Sequence, residues 1–111
     1  MLKQHLDPEQ HPPHPGEILR EDILPRLAIT RSAFARHLGI TPRTLADLLA
    51  ERRQVTFEMA QRLGAAIGYG TRYWLGLQAQ YDIWRAIGAE PVPVRPLKVR
   101  PGKFASAATR D

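Results

Sequence analysis

Apolar residues between positions 16 and 88 recur three and four apart, the spacing of one face of an α-helix, and strict alternation never lasts long enough to build a sheet. Stop and start signals cut this stretch into five helices. The first opens after Pro15-Gly16 with Glu17 and Glu21 in its early turns, where acids suit the positive end of the helix dipole, and covers about 17–25 until Pro25 ends or kinks it. Thr30 is placed to cap a second helix carrying Ala33, Phe34, Ala35 and Leu38, with Gly39 free to take the left-handed angle at which a helix stops. Thr41 then caps a third, whose first residue, Pro42, loses no bond because the N–H it lacks has no partner there. Thr56 caps a fourth helix with Met59, Ala60, Leu63 and Ile67, closed by Gly68 or Gly70. Thr71 caps a fifth, running through Trp74, Leu77, Tyr81 and Trp84 to Gly88. Short helices at such close intervals predict a compact five-helix, all-α domain.

Proline sets the borders. Pro8, Pro12, Pro13 and Pro15 crowd one end and Pro91, Pro93, Pro96 and Pro101 the other, against only Pro25 and Pro42 between. The expected organisation is a flexible N-terminal arm over 1–14, a helical domain over 15–88 and a basic, proline-rich tail over 89–111.

The second and third helices are joined by Gly39-Ile40-Thr41 alone, too short for antiparallel neighbours to lie flat and suited to the steep crossing of a helix-turn-helix over 31–50. Ala35 is small where the helices would cross, Ile40 plugs the corner, and Leu45 and Leu48 face back into the core. A plain helical hairpin has the same apolar facing, so charge has to separate the two readings. Segment 30–53 carries Arg31, Arg36, Arg43, Arg52 and Arg53 against Asp47 and Glu51, a net of +3 with neutral histidine. Double-stranded DNA is the partner this favours, and in such a motif the second helix turns its N-terminal residues toward base edges in the major groove. Those residues are Thr41, Arg43, Thr44 and Asp47. Arg43 can donate two parallel bonds to guanine, Asp47 can accept from cytosine, and Thr44 can touch a thymine methyl. The alternative for Asp47 is an ion pair with Arg43 or Arg52. Arg31, Arg52 and Arg53 lie where phosphates pass and carry no sequence information there. Arg36 reads as a solvated charge.

Composition narrows the picture further. The 111 residues suffice for one core, carry a formal charge of +5 and contain no cysteine, which excludes disulfides, thiolate metal sites and cysteine nucleophiles. A basic balance suits polyanionic partners. No stretch reaches the ~18 uncharged apolar residues of a membrane span, and the start MLKQHLDPEQHPPHPG lacks the apolar run of an export signal, so no membrane partner and a cytoplasmic location are expected. His5, His11 and His14 do not make a metal site, since Pro12 and Pro13 break the helical spacing that paired ligands use; neither metal nor cofactor is expected. No P-loop, serine-hydrolase elbow or paired catalytic acids are present, so the chain reads as a binding protein and not an enzyme. In the fifth helix Trp74, Leu77, Tyr81 and Trp84 form one stripe while Tyr73, Leu75, Ile83 and Ile87 fall outside it. Because one core can hardly bury both faces of a terminal helix, the stripe is assigned to a homodimer contact, with packing under the N-terminal segment as the alternative.

The segments HPGEILREDILPRLAIT, RSAFARHLGITPRTLADLLAERR, TFEMAQRLGAAIG and TRYWLGLQAQYDIWRA together resemble the HigA antitoxins, a group within the Xre/Cro-type (lambda repressor-like) helix-turn-helix proteins. The likeness covers about residues 14–86; HPGEIL and YWLGLQAQYD…W carry the specificity, since the helix-turn-helix itself is shared by many repressors. The resemblance implies a homodimer that represses its own operon and neutralises a partner toxin of the HigB type, a ribosome-dependent mRNA endonuclease. Toxin contact would fall on the first helix and N-terminal arm. Two departures stand out: Ala50-Glu51 replaces the Asn-Gly that often follows the recognition helix, and Gly76 replaces a common Asn. The first puts a tight turn in question and leaves open a protein-binding inhibitor without DNA readout, beside a stand-alone repressor without a toxin. The tail, with Arg95, Lys98, Arg100, Lys103 and Arg110, reads as a solvated end or as added sequence-independent affinity for DNA.

Overall fold

The computed structural model describes residues 11–103 and is built of helices, with no strand among the described residues. The α-helices are α1 (Pro15–Ile18), α2 (Arg31–Leu38), α3 (Pro42–Leu49), α4 (Phe57–Ala66) and α5 (Gly70–Ala86). His5, Arg110 and the outer part of the expected arm lie outside the described residues.

The first helix begins earlier and ends later than its sequence signals suggest. His14 caps it, Nδ1 accepting the Gly16 N–H at 2.8 Å, and Pro15 takes the first helical position. Beyond Ile18 the helix widens into a π-helical turn, Leu19–Ile23, and then tightens into a 3-10 turn, Leu24–Arg26. A proline ring inside a regular helix clashes with the carbonyl four residues back. Here Pro25 sits at the start of the tight turn, where no helical N–H is required of it, and the helix passes through it.

Threonines start the next three helices as expected. The hydroxyls of Thr30, Thr41 and Thr56 accept the N–H of Ala33, Thr44 and Met59 respectively, at 3.0, 3.0 and 3.2 Å. Thr71 does not do the same for α5. That helix starts two residues sooner, after Tyr69, and no side chain caps it. The reason is the tightness of the preceding turn: Gly68, Tyr69 and Gly70 all take positive φ. The turn carries α5 back so close to α4 that a Cβ on Gly64 would stand 3.0 Å from the Gly70 carbonyl carbon and the Thr71 nitrogen.

One core joins all five helices. Ala35, Leu45, Leu48 and Leu63 are buried as the spacing implies, with Phe34, Leu19 and Trp74 filling the largest volumes and Ile40 packed against them at the corner. Gly16 lets α1 approach α3, since a side chain there would run into the Leu48 carbonyl oxygen. Residues 11–14, expected in the flexible arm, instead pack on α5: Pro12 and His14 are buried, the His14 ring stands edge-on to Tyr81 at 4.8 Å, and His11 lies 4.9 Å from the Trp84 ring. This is the alternative to a dimer contact for the apolar residues of the fifth helix, packing under the N-terminal segment. No helix among the described residues is long and apolar enough to cross a membrane.

Candidate nucleic-acid interface

The helix-turn-helix forms from α2, a three-residue turn and α3. Gly39, at φ 78°, ends α2 with paired bonds, Gly39 N–H to the Arg36 carbonyl and Ile40 N–H to the Ala35 carbonyl. Thr41 then starts α3 with its extended backbone. This local sequence leaves little freedom in the angle at which α3 is presented.

On α3 the exposed positions are Pro42, Arg43 and Ala46, with the exposed caps Thr41 and Ala50 at its two ends. Arg43 projects furthest, with 85% of its side chain accessible. Thr41 is exposed and Thr44 half-buried, and their hydroxyls are tied to each other: besides the cap, the Thr41 hydroxyl donates to the Thr44 hydroxyl at 3.0 Å. Asp47 takes the alternative weighed for it, an ion pair. Its carboxylate accepts from Arg52 at 3.0 Å and lies 3.7 Å from the Arg43 guanidinium, which leaves it 22% exposed. Ala46 and Pro42 were missed because small apolar residues read as core in a periodicity argument. Their place beside Arg43 is visible only once the helix is oriented.

Next to this face runs an open groove of about 640 Å³, bounded by Arg36, Thr41, Thr44, Arg53, Thr56 and Arg62 among others. Three guanidiniums, partly balanced by Glu58, make it a strip of positive potential. Arg36 therefore borders this groove. Arg62, which the sequence did not single out, donates to the Leu38 carbonyl at 2.8 Å and to Glu58 at 2.6 Å, closing the end of α2 from α4. Arg31 opens α2, and Arg52 and Arg53 lie in the following loop; all three are exposed.

The turn after α3 forms without Asn-Gly. Glu51 takes the left-handed conformation, φ 64°, its N–H donating to the Leu48 carbonyl and that of Arg52 to the Asp47 carbonyl, the same pair of bonds that Gly39 makes. Arg20 holds it there, donating to the Leu49 carbonyl at 2.7 Å and to the Glu51 carboxylate at 3.1 Å. Hydrogen bonds to Glu21 and Glu51 raise the Arg20 pKa. The departure at Ala50-Glu51 thus leaves the turn intact.

The stripe assigned to dimerisation divides. Trp74 is fully buried in the chain's own core and its Nε1 donates to the Gly68 carbonyl at 3.0 Å, so it has no surface to offer a partner. The misassignment has a simple cause: α5 buries this end against α4 before it leaves the domain. Leu77 is half-buried against the core, and Tyr81 and Trp84 are half-covered by His14 and His11. The open apolar residues at the far end of α5 are Ile83 and Ile87, 66% and 69% exposed.

The helix-turn-helix family pattern matches residues 19–74. Virulence-associated protein I of Dichelobacter nodosus is 36% identical over 70 residues, 63% of this chain, and the chain spans only 65% of that relative. Among solved structures, a HigA-family addiction module antidote protein from Coxiella burnetii is similar with a TM-score of 0.64 and 35% identity, covering 69% of this chain and 84% of that one. The Pseudomonas aeruginosa antitoxin HigA, solved with the higBA promoter, gives a TM-score of 0.66 and 34% identity over 77% of this chain and 100% of its own.

Proposed function

The chain belongs to the helix-turn-helix family, with relatives among the HigA antitoxins, and from that premise we propose that it is a homodimeric, operator-binding autorepressor that also neutralises a HigB-type toxin. The observation that carries the DNA half is Arg43, 85% accessible on the leading turn of α3 and flanked by a groove lined with arginines. It reads guanine through two parallel N–H bonds, a pairing worth about 1–3 kcal/mol of discrimination. Pro42 and Ala46 add apolar contact beside it. Thr41 and Thr44 set the helix start, and Asp47 steers Arg43 and Arg52. Arg31, Arg52 and Arg53, joined by Arg36, meet phosphates. Two copies joined through the far end of α5 would set two recognition helices about 34 Å apart on a palindromic site. The toxin half rests on the relatives named HigA. The protein acts by binding, in the cytoplasm, and no reaction is assigned to it.

The DNA half is tested by fluorescence anisotropy with a duplex from the region upstream of its own reading frame and with a scrambled duplex. Arg43→Ala is expected to weaken the first by about tenfold or more and the second little, whereas Arg53→Ala weakens both alike and flattens the salt dependence. Equal losses on both duplexes for Arg43→Ala would remove the base-reading role. Growth arrest by an adjacent short gene, relieved on co-expression with this chain, tests the toxin half; arrest without relief sinks it.

A further inference from the structure

The loop joining α3 to α4 is held at both ends by side chains from elsewhere in the fold. Arg20 grips its start, at Leu49 and Glu51. At its end the Val55 N–H donates to the Gln78 side-chain oxygen at 2.7 Å, and the Val55 side chain is buried. Between these anchors Arg52, Arg53 and Gln54 stand exposed.

Gln78 is an unusual residue for its place. It lies on the inward side of α5 between Trp74 and Tyr81, only 6% exposed, where a polar amide is costly unless every group on it is bonded. Both ends are. Its amide nitrogen donates to the Asp82 carboxylate at 3.0 Å, and since a carboxylate only accepts, that bond turns the amide oxygen toward Val55. Asp82 orients Gln78, and Gln78 holds the loop. The position lies beyond residues 19–74, the span of the family pattern.

We infer that Gln78 is a positioning residue for DNA-backbone binding: through the Val55 N–H it fixes the loop that presents Arg52 and Arg53 to phosphates. The inference rests on the DNA reading above. A loop anchored in advance does not have to be ordered on binding, so the affinity of both arginines depends on an amide that never touches DNA. Because phosphate contacts carry no sequence content, losing the anchor weakens all duplexes alike.

The experiment uses the full chain with two substitutions, Gln78→Leu and the paired exchange Gln78→Glu with Asp82→Asn. In the pair a carboxylate accepts from Val55 and an amide at the other position donates to it, so the link is rebuilt with its polarity kept. Amide hydrogen exchange at Val55, thermal melting, and anisotropy titrations on upstream and scrambled duplexes across a salt series are measured together. For Gln78→Leu the expected result is faster exchange at Val55, binding weaker by about three- to tenfold on both duplexes, and a salt slope shallower by about 0.9–1.8, the loss of one or two phosphate contacts. The paired exchange recovers all three. Unchanged affinity and slope in a folded Gln78→Leu protein, or no recovery of binding when Val55 protection returns, overturns the inference. If Gln78→Leu fails to fold, Gln78→Glu alone against the paired exchange makes the same comparison. A wild type that binds neither duplex overturns the DNA reading instead, a result distinct from any change confined to the variants.

Discussion

At position 51 a glutamate adopts the backbone angle that glycine takes at position 39, φ 64° against 78°. A residue with a Cβ pays about 1–2 kcal/mol for that conformation, and the Arg20 side chain offsets it by binding both the helix-end carbonyl and the carboxylate. The end of the recognition helix is therefore secured from the π-helical turn that follows α1 as well as by its own backbone bonds. His14 is a second residue whose role is local and chemical. Its Nδ1 accepts the Gly16 N–H, which requires a neutral ring with the proton on Nε2, and burial lowers its pKa from the usual 6.5 against the opposing pull of Glu51, Asp82 and Glu17. Above that value the ring is neutral whether folded or not. As pH falls through about 6.5 the unfolded chain takes up the proton first, so stability declines until the lower folded pKa is passed. Thermal melts between about pH 8 and pH 5 are expected to show this decline in the wild type and a flatter profile in His14→Asn, whose oxygen can cap the helix without titrating. Parallel profiles would show that His14 is not the group responsible.

Among the elements, α2, α3 and α4 follow their sequence because each begins with a threonine whose hydroxyl closes the first turn, a cap typically worth about 1 kcal/mol. The first helix obeys rules that a linear pattern does not show: an imidazole cap, and a widened turn ahead of a proline that the helix survives. The fifth helix has a weakness in its interior. Gly76 stands mid-helix, and a Cβ there would meet no atom within 4 Å. Since glycine in a helix interior costs about 0.5–1 kcal/mol relative to alanine, Gly76→Ala is expected to raise stability by that amount in denaturant melts. No gain would mean that the open space is filled in the assembled protein. The contrast with Gly16 is instructive: there an added methyl would strike the Leu48 carbonyl oxygen and drive α1 from α3.

For the molecule as a whole, one core accounts for the inner face of every helix and leaves one end of α5 uncovered, where Ile83 and Ile87 remain open. Fully burying an isoleucine is worth about 1.5–3 kcal/mol, so Ile83→Glu with Ile87→Glu is expected to weaken a dimer by at least about a hundredfold. Sedimentation at micromolar concentration reads this directly. A variant that stays dimeric would move the interface elsewhere. The helix-turn-helix was legible in the sequence because its determinants are local: Thr30, Gly39, Thr41 and Pro42 each act within a few residues, and the apolar spacing of α2 and α3 answers to a single core. Arg43 was legible for the same reason, as an exposed charge just inside a capped helix. What lies between distant residues was not. The jobs of Arg20, Arg62 and Gln78 are hydrogen bonds spanning 29, 24 and 23 positions, and no periodicity encodes such a partner. The stripe of rings on α5 left two coverings open, a second copy and the N-terminal segment, because it shows that a helix has something to bury and not what will cover it; the structure lays His14 and His11 on Tyr81 and Trp84 and buries Trp74 in the core. The sequence by itself determined the order of the helices and the arginine-bearing face of the helix-turn-helix, since caps, turns and spacing act over a few residues. Only the tertiary structure decided which side chains hold that face in place and which part of α5 remains free, because those choices depend on atoms that meet only when the chain is packed.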